Sequence, residues 1–308
     1  MFLLNEKGYS LRKIALALGR SVSTVSDELK RNRVNGRYDP SKANHKAYVR
    51  RQQSKYQGMH IVGEKDTKKF VDAALLDDLS PEAIAGRLRT REKDMVGISK
   101  DSIYRYIQSV YGRKIEAHRK NKRRRGKRRI AIHPSIADRV FIDKRPLYIN
   151  TRQRIGDCEA DFVVSGKSGS GILLVVVDRR LRVAFLELIV DVSIQAVHDA
   201  FVRIKKRFPE MKSLTLDNDI LFRKHKELEQ LLGIKIYFCH PYHSWEKGTV
   251  ENTNKYIRRD VPKGADLSKL TLQFIVALEH KLNRRPMKCL GYQTPQERLD
   301  AYRRKKKH

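Results

Sequence analysis

Long apolar runs, cysteine and acidic charge are the three things this 308-residue sequence has little of. No stretch of about 18 apolar residues occurs, and the opening Phe2-Leu3-Leu4 is too short for a secretory signal, so neither a membrane span nor export is expected. A soluble intracellular protein is the expectation. Three scattered cysteines, Cys158, Cys239 and Cys289, exclude a disulfide framework, and no CxxC pairs with a downstream HxxxH as a zinc finger would require. Acids number 35 against 67 Lys+Arg, giving a formal net charge of +32 and a pI near 10.2. Such an excess calls for a polyanionic partner, and nucleic acid is the usual one. With 40% hydrophobic residues the chain can still bury a core, and its length suits two or three domains.

Near the N-terminus, SLRKIALALGRSVSTVSDELKRN (10–32) places Leu11, Ile14, Ala15 and Leu18 on one helical stripe. Gly19 ends that helix, and Ser21 or Ser23 can cap a second one carrying Val25 and Leu29. Two short helices across a tight turn predict a helix-turn-helix. There the second helix enters the major groove, so Ser23, Thr24, Ser26 and Asp27 would face bases while Arg20, Lys30 and Arg31 take phosphates. A looser copy spans 79–109, with Ser80 as cap, Pro81 in the first turn, an Ile84, Ala85, Leu88 stripe, and a helix opened by Ser99 or Ser102 that turns Ile103, Tyr106 and Ile107 inward. Residues 33–60 predict one short helix. In RKNKRRRGKRR (119–129) nine of eleven residues are basic, Arg123, Arg124 and Arg125 among them, which reads as an arm lying along DNA. The basic RRKKKH at 303–308 reads the same way.

From about residue 150 the texture changes. CEADFVVS (158–165), GILLVVVD (171–178) and VAFLELIV (183–190) predict an antiparallel meander. A helix over 193–208, a strand SLTLD (213–217), a helix ending at Gly233, a strand IKIYF (234–238) and a further helix follow. Three strands, helix, strand, helix, strand, helix is the order of a ribonuclease H-like domain. The expected division is 1–58, a helix-turn-helix DNA-binding domain; 64–115, a second such module; 116–149, a basic linker; and 150–308, an α/β ribonuclease H-like core with a mixed five-stranded sheet.

Asp161 and Asp217 stand where packing favours apolar residues, one midway along the first strand and the other at the end of its expected neighbour. An unpaired buried charge there costs several kcal/mol, and a divalent cation removes that cost. In GTVENTNKYIRR (248–259), Val250, Ile257 and Val261 share a stripe that can pack on the sheet. Glu251, Lys255 and Arg258 share another, on which Glu251 can complete a ligand set while Lys255 and Arg258 hold a nucleic-acid backbone. Two hard cations, Mg²⁺ with Mn²⁺ as a substitute, suit such an all-oxygen site and in-line attack at phosphorus. Asp157, Glu159, Asp178, Asp219 and Glu246 are expected on the surface or in supporting roles. Trp245 and Tyr242 could stack on an unpaired base or pack beneath their loop. Asn252 and Asn254 could contact DNA or cap locally; His240 and His243 suggest a metal site, but without further His or Cys at ligand spacing they are expected to be loop residues; and Asn283, Arg284, Arg285 and Pro286 are expected to end a last helix in a basic turn facing DNA.

In these blocks, IALALGRSVSTVSDELKRN, GDCEADFVV, LTLDN, YFCHPYHSWEKGTVENTNKYIRRDVPKG and LNRRPMKCLGYQTPQERL, the chain resembles the transposases of bacterial insertion sequences, specifically the IS-thirty type. The thirty-three residues between Asp217 and Glu251 match that family's spacing between its second and third catalytic acids. The resemblance implies a metal-dependent Asp-Asp-Glu enzyme in the bacterial cytoplasm, at the nucleoid. It would cleave double-stranded DNA at terminal inverted repeats and join the freed 3′-hydroxyl to a target, with at least a dimer needed to hold two ends. The sequence departs from the family at Cys158 (Trp), Ala160 and Asp219 (Gly), Leu221 (Glu), His240 (Asp) and Ser244 (Pro), none of them a catalytic acid. It also begins close to the first helix-turn-helix, so a few residues of a supporting helix are expected upstream. The rival readings are a catalytically dead DNA-binding regulator and a nuclease that cuts without joining.

Overall fold

The computed structural model describes residues 1–34, 36–54, 59–121, 136–166, 168–241 and 243–307. At its start, α1 (Phe2–Glu6), α2 (Leu11–Leu18) and α3 (Val22–Arg31) are followed by a small hairpin, β1 (Arg33–Val34) and β2 (Arg37–Tyr38), and by α4 (Pro40–Ser54). Gly19 adopts the left-handed conformation (φ 60°) that ends α2. Ser21, not Ser23, caps α3 by accepting the Thr24 N–H at 3.1 Å. Ile14, Ala15, Val25 and Leu29 then close over one another in a small core.

The second helical unit is larger than its sequence signal. It comprises α5 (Met59–Gly63), α6 (Lys65–Leu76), α7 (Pro81–Thr90), α8 (Lys100–Gln108) and α9 (Arg113–Asn121). Ile61, Val71 and Leu75 share one core with Ile84, Leu88, Ile103 and Tyr106. Ser80 and Ser99 cap α7 and α8. Residues 122–135, and with them Arg123, Arg124 and Arg125, lie outside the described residues.

The third unit opens with α10 (Leu147–Asn150) and the meander β3 (Asp157–Val164), β4 (Ile172–Asp178) and β5 (Ala184–Ile189). There follow α11 (Ile194–Arg207), β6 (Ser213–Leu216), α12 (His225–Leu232), β7 (Lys235–Phe238), α13 (Gly248–Asp260), α14 (Leu272–Asn283) and α15 (Pro295–Lys307). Strand order is β5-β4-β3-β6-β7, antiparallel among the first three and parallel across β3, β6 and β7. This is the mixed five-stranded sheet of a ribonuclease H-like fold. Every residue of β4 is buried because helices cover both faces of the sheet. On one face Ala160, Leu174 and Val176 meet Phe201 and Ile204 of α11 and Leu228 of α12. On the other, Val163, Val175 and Val177 meet Val250 and Ile257 of α13 and Leu278 of α14. Gly156, at φ 97°, lets β3 enter beside the chain leading to β6, since a Cβ there would run into the Glu210 carbonyl.

Two expectations for the C-terminal region are corrected. The basic stretch from Arg303 is not a free arm but the end of α15, with Leu299 buried and Arg303 paired to Glu210 at 3.0 Å. Of the expected basic turn, Asn283 and Arg285 are buried, whereas Arg284 is exposed. Asn283 inserts its amide against β5, accepting from the Ala184 N–H at 2.8 Å and donating to its carbonyl at 2.7 Å, which satisfies an otherwise unpaired sheet edge. Arg285 is buried, donates to the Asp78 carbonyl at 3.0 Å and lies 4.2 Å over the Tyr256 ring, tying the second helical unit to α13.

Candidate active site

Period two along β3 sends Asp157, Glu159 and Asp161 to one face of the sheet, opposite Cys158 and Ala160. β3 runs parallel to β6 with Glu159 beside Thr215, so Asp161, midway along β3, and Asp217, just past the end of β6, sit level with each other two residues further on. Both side chains converge on one cation. The Lys247 ammonium lies 3.0 Å from Asp161 Oδ1, 3.1 Å from Asp217 Oδ2 and 3.2 Å from the Ala160 carbonyl. Asn254 Nδ2 donates to Asp161 Oδ2 at 2.7 Å. Asp217 Oδ1 is buried without a hydrogen-bond partner.

Burial works against the charge on Lys247, but Asp217 and Asp161 more than offset it and hold the ammonium above its ordinary pKa. Burial pushes the Asp161 carboxyl up, with repulsion from Asp217 adding to it and attraction from Lys247 opposing it. A single ammonium thus leaves the carboxylate cluster negative and short of cation.

Glu251 stands on the α13 face that carries these contacts, one turn after Lys247 and three residues before Asn254. Its half-buried carboxylate makes no hydrogen bond or ion pair among the described residues. Asp161, Asp217 and Glu251 do not bring three ligand atoms within 4.8 Å of one another; among the described residues, the set that does so is His240, His243 and Glu246. The predicted apolar stripe holds, with Val250, Ile257 and Val261 buried. Lys255 on its neighbour is exposed, and Arg258 is half-buried and donates to the Val164 carbonyl at 2.9 Å.

Of the supporting acids, Glu159 carries more than its sequence position suggests. It is buried, accepts the N–H groups of Thr249 and Val250 at 2.9 and 3.0 Å, and pairs with Arg179 at 2.9 Å. A strand carboxylate therefore anchors the positive N-terminus of the helix that bears Glu251. Asp157 pairs with Arg154, and Asp219 accepts the Leu221 N–H in the turn after Asp217. Asp178 accepts the N–H groups of Gly156, Arg180 and Leu181. Of the residues offered for base stacking, Tyr242 and the side chain of Trp245 lie outside the described residues.

Sequence reasoning missed Lys247, which no spacing singles out among 67 basic residues. It also left Asn254 between two roles, neither of them the Asp161 contact it makes. In the helix-turn-helix, Arg20, Ser23, Thr24, Lys30 and Arg31 are exposed and Ser26 half-buried. Thr24 and Ser23 both hydrogen-bond the Ser21 hydroxyl, at 2.7 and 2.9 Å.

The residues present fit a hard divalent cation. All donors are oxygens, an ammonium already stands between two of them, and Asp217 Oδ1 is left unpaired and buried. A helix-turn-helix followed by a ribonuclease H-like sheet that sets Asp161 and Asp217 side by side is a build of DNA-recombining enzymes. Residues 2–32 match the family model of a helix-turn-helix domain. Over 299 residues the chain is 39% identical to the transposase for insertion sequence element IS4351 of Bacteroides fragilis, spanning 94% of this chain and 90% of that protein. It is 32% identical to transposase InsI for insertion sequence element IS30A of Escherichia coli (strain K12), spanning 94% and 79%. Among solved structures, the catalytic core domain of BIV integrase is similar at TM-score 0.39 and 18% identity, covering 50% of this chain and 99% of that one. The chain belongs to the family of insertion-sequence transposases.

Proposed function

We propose that Asp161, Asp217 and Glu251 are the catalytic acids of this transposase and hold two divalent cations, Mg²⁺ with Mn²⁺ as a substitute. The observation that carries this reading is the convergence of Asp161 and Asp217 on one buried ammonium, with a second Asp217 oxygen unpaired. When bound, the cations would activate the attacking oxygen and stabilise the leaving one. Asn254 orients Asp161, and Lys247 keeps the two aspartates together between turnovers. Lys255, which is exposed, meets the DNA backbone entering the site, and Arg258, half-buried on the same helix face, borders that path.

The units divide the labour much as the sequence suggests, with 1–58 and 64–115 gripping double-stranded DNA at the terminal inverted repeats and 150–308 performing the chemistry, while of the expected linker 116–149, residues 116–121 continue α9 and Ile136, Phe141 and Arg145 pack on the core. Arg20, Lys30 and Arg31 take phosphates while Ser23, Thr24 and Ser26 face bases, and Arg123, Arg124 and Arg125 follow the backbone. Two ends must be held for transposition, so a dimer or larger assembly forms on DNA, in the cytoplasm at the nucleoid. No helix among the described residues is long and apolar enough to cross a membrane. The test is strand transfer from a labelled inverted-repeat end in Mg²⁺. Loss of product in Asp161→Ala, Asp217→Ala and Glu251→Ala with end-binding kept supports the enzyme. Tight binding without nicking by the wild type under any metal supports the regulator instead.

A further inference from the structure

Just upstream of α13, the turn after β7 gathers a second set of ligating side chains that the transposition chemistry does not use. One ligand atom from each of His240, His243 and Glu246 lies within 4.8 Å of the others. Glu246 Oε1 is 3.0 Å from His240 Nδ1 and 3.3 Å from His243 Nδ1. For a tetrahedral ion with bonds of about 2.0–2.1 Å, neighbouring ligand atoms stand about 3.3 Å apart, so the two spacings to Glu246 Oε1 match those between ligands of one ion. The turn is braced from both sides: the His240 N–H donates to Glu246 Oε2 at 2.8 Å, and the His240 ring stacks on Phe141 at 5.1 Å.

His240 has a carboxylate oxygen on each ring nitrogen, Glu246 at Nδ1 and Asp143 Oδ2 at 2.7 Å from Nε2. A neutral imidazole carries one N–H and cannot satisfy two acceptors. Either the ring is doubly protonated, or a metal takes the Nδ1 position while Nε2–H donates to Asp143. The second arrangement is the carboxylate–histidine–metal grouping that fixes a ligand's tautomer and raises its basicity.

The geometry points to a binding site for a transition-metal dication of the Zn²⁺ type, ligated by His240 Nδ1, His243 Nδ1 and Glu246, with Asp143 holding the far nitrogen of His240. Two imidazoles and one carboxylate suit zinc and its neighbours, and hard Mg²⁺ poorly. The site is separate from the carboxylates proposed for catalysis and has its own donors. Lys247 directly follows Glu246, so occupancy would fix the turn that delivers the ammonium to Asp161 and Asp217.

The test uses the full chain without a polyhistidine tag, stripped with chelator and equilibrated with Zn²⁺ in a large excess of Mg²⁺. The expected result is one Zn²⁺ retained per chain, lost in the double variant His240→Gln/His243→Gln, weakened roughly 10- to 100-fold by Asp143→Asn, and unchanged in Asp161→Asn/Asp217→Asn. No zinc retained by the wild type, equal retention by the histidine double variant, or loss on changing the two aspartates would overturn the assignment. Co²⁺ in the wild type gives a reading that needs no variant. Visible bands of a nitrogen- and oxygen-ligated ion support the site, and a thiolate charge-transfer band, placing the ion on cysteine, overturns it. The zinc count needs neither DNA nor turnover, so its failure would leave the proposed transposition chemistry standing.

Discussion

Lys247 is the residue on which the site's electrostatics turn, because its ammonium lies between the carboxyl groups of Asp161 and Asp217, at 3.0 and 3.1 Å. Removing one partner of a buried ion pair leaves an uncompensated charge and costs about 3–5 kcal/mol. Lys247→Ala is therefore expected to lower the thermal midpoint clearly in chelator, and Mg²⁺ should restore much more of that loss than it adds to the wild type. Equal Mg²⁺ responses in the two proteins would contradict the idea that ammonium and metal serve the same carboxylates. Asp178 offers a pH test. Burial raises its pKa from 3.8 to about 6 despite three backbone donors. A carboxyl whose folded pKa is raised contributes stability that is complete below the ordinary value and is lost as pH rises through about 6. The wild type should thus lose stability between about pH 4 and 6 relative to Asp178→Asn. The variant itself should be less stable by about 1–3 kcal/mol, since an amide group would face the Gly156 N–H. Parallel pH profiles in thermal melts would refute the assignment.

At the level of elements, the attachment of α13 to β3 through Glu159 decides where Glu251 points. Glu159→Gln removes the charge from both the helix N-terminus and Arg179. A loss of about 3–5 kcal/mol is expected for leaving that arginine buried and unpaired, with end-binding by the helix-turn-helix retained. Urea unfolding together with a DNA-binding assay would measure both. The elements themselves were legible where one physical signal dominated: β-branched runs for β3, β4 and β5, and 3.6-residue spacing closed by Gly19 or Gly233 for α2 and α12. The convergence of Asp161 and Asp217 followed from strand order, because the middle of β3 runs beside the end of its parallel neighbour β6. What stayed hidden depends on contacts between distant segments. Arg285 reads as a DNA-facing base until Tyr256 and the Asp78 carbonyl surround it, Asn254 differs from Asn252 only in what lies opposite, and α5 and α6 join a shared core only through Ile61, Val71 and Leu75 meeting residues of α7 and α8. His240, His243 and Glu246 are three residues apart in turn, and only the fold of the loop makes a cluster of them.

For the whole molecule, a net charge of +32 makes the grip on DNA chiefly a matter of released counterions. Arg20→Ala and Arg31→Ala should each weaken binding by similar factors on specific and unrelated duplexes, and each should flatten the log–log salt dependence by about 0.9 per lost phosphate contact. Changes at Ser23 or Ser26 should instead alter the preference among end sequences, by about 1–3 kcal/mol where a base contact is lost. Fluorescence anisotropy across a salt series separates the two behaviours. The central claim, that the acid at the end of β6 holds the metal used in strand transfer, is tested most directly with Asp217→Cys. A thiolate is a poor ligand for Mg²⁺ and a tolerable one for Mn²⁺. Strand transfer from a labelled inverted-repeat end should fall on the order of 10³-fold or more in Mg²⁺ and recover substantially in Mn²⁺. Undiminished transfer by Asp217→Cys in Mg²⁺ would contradict the account.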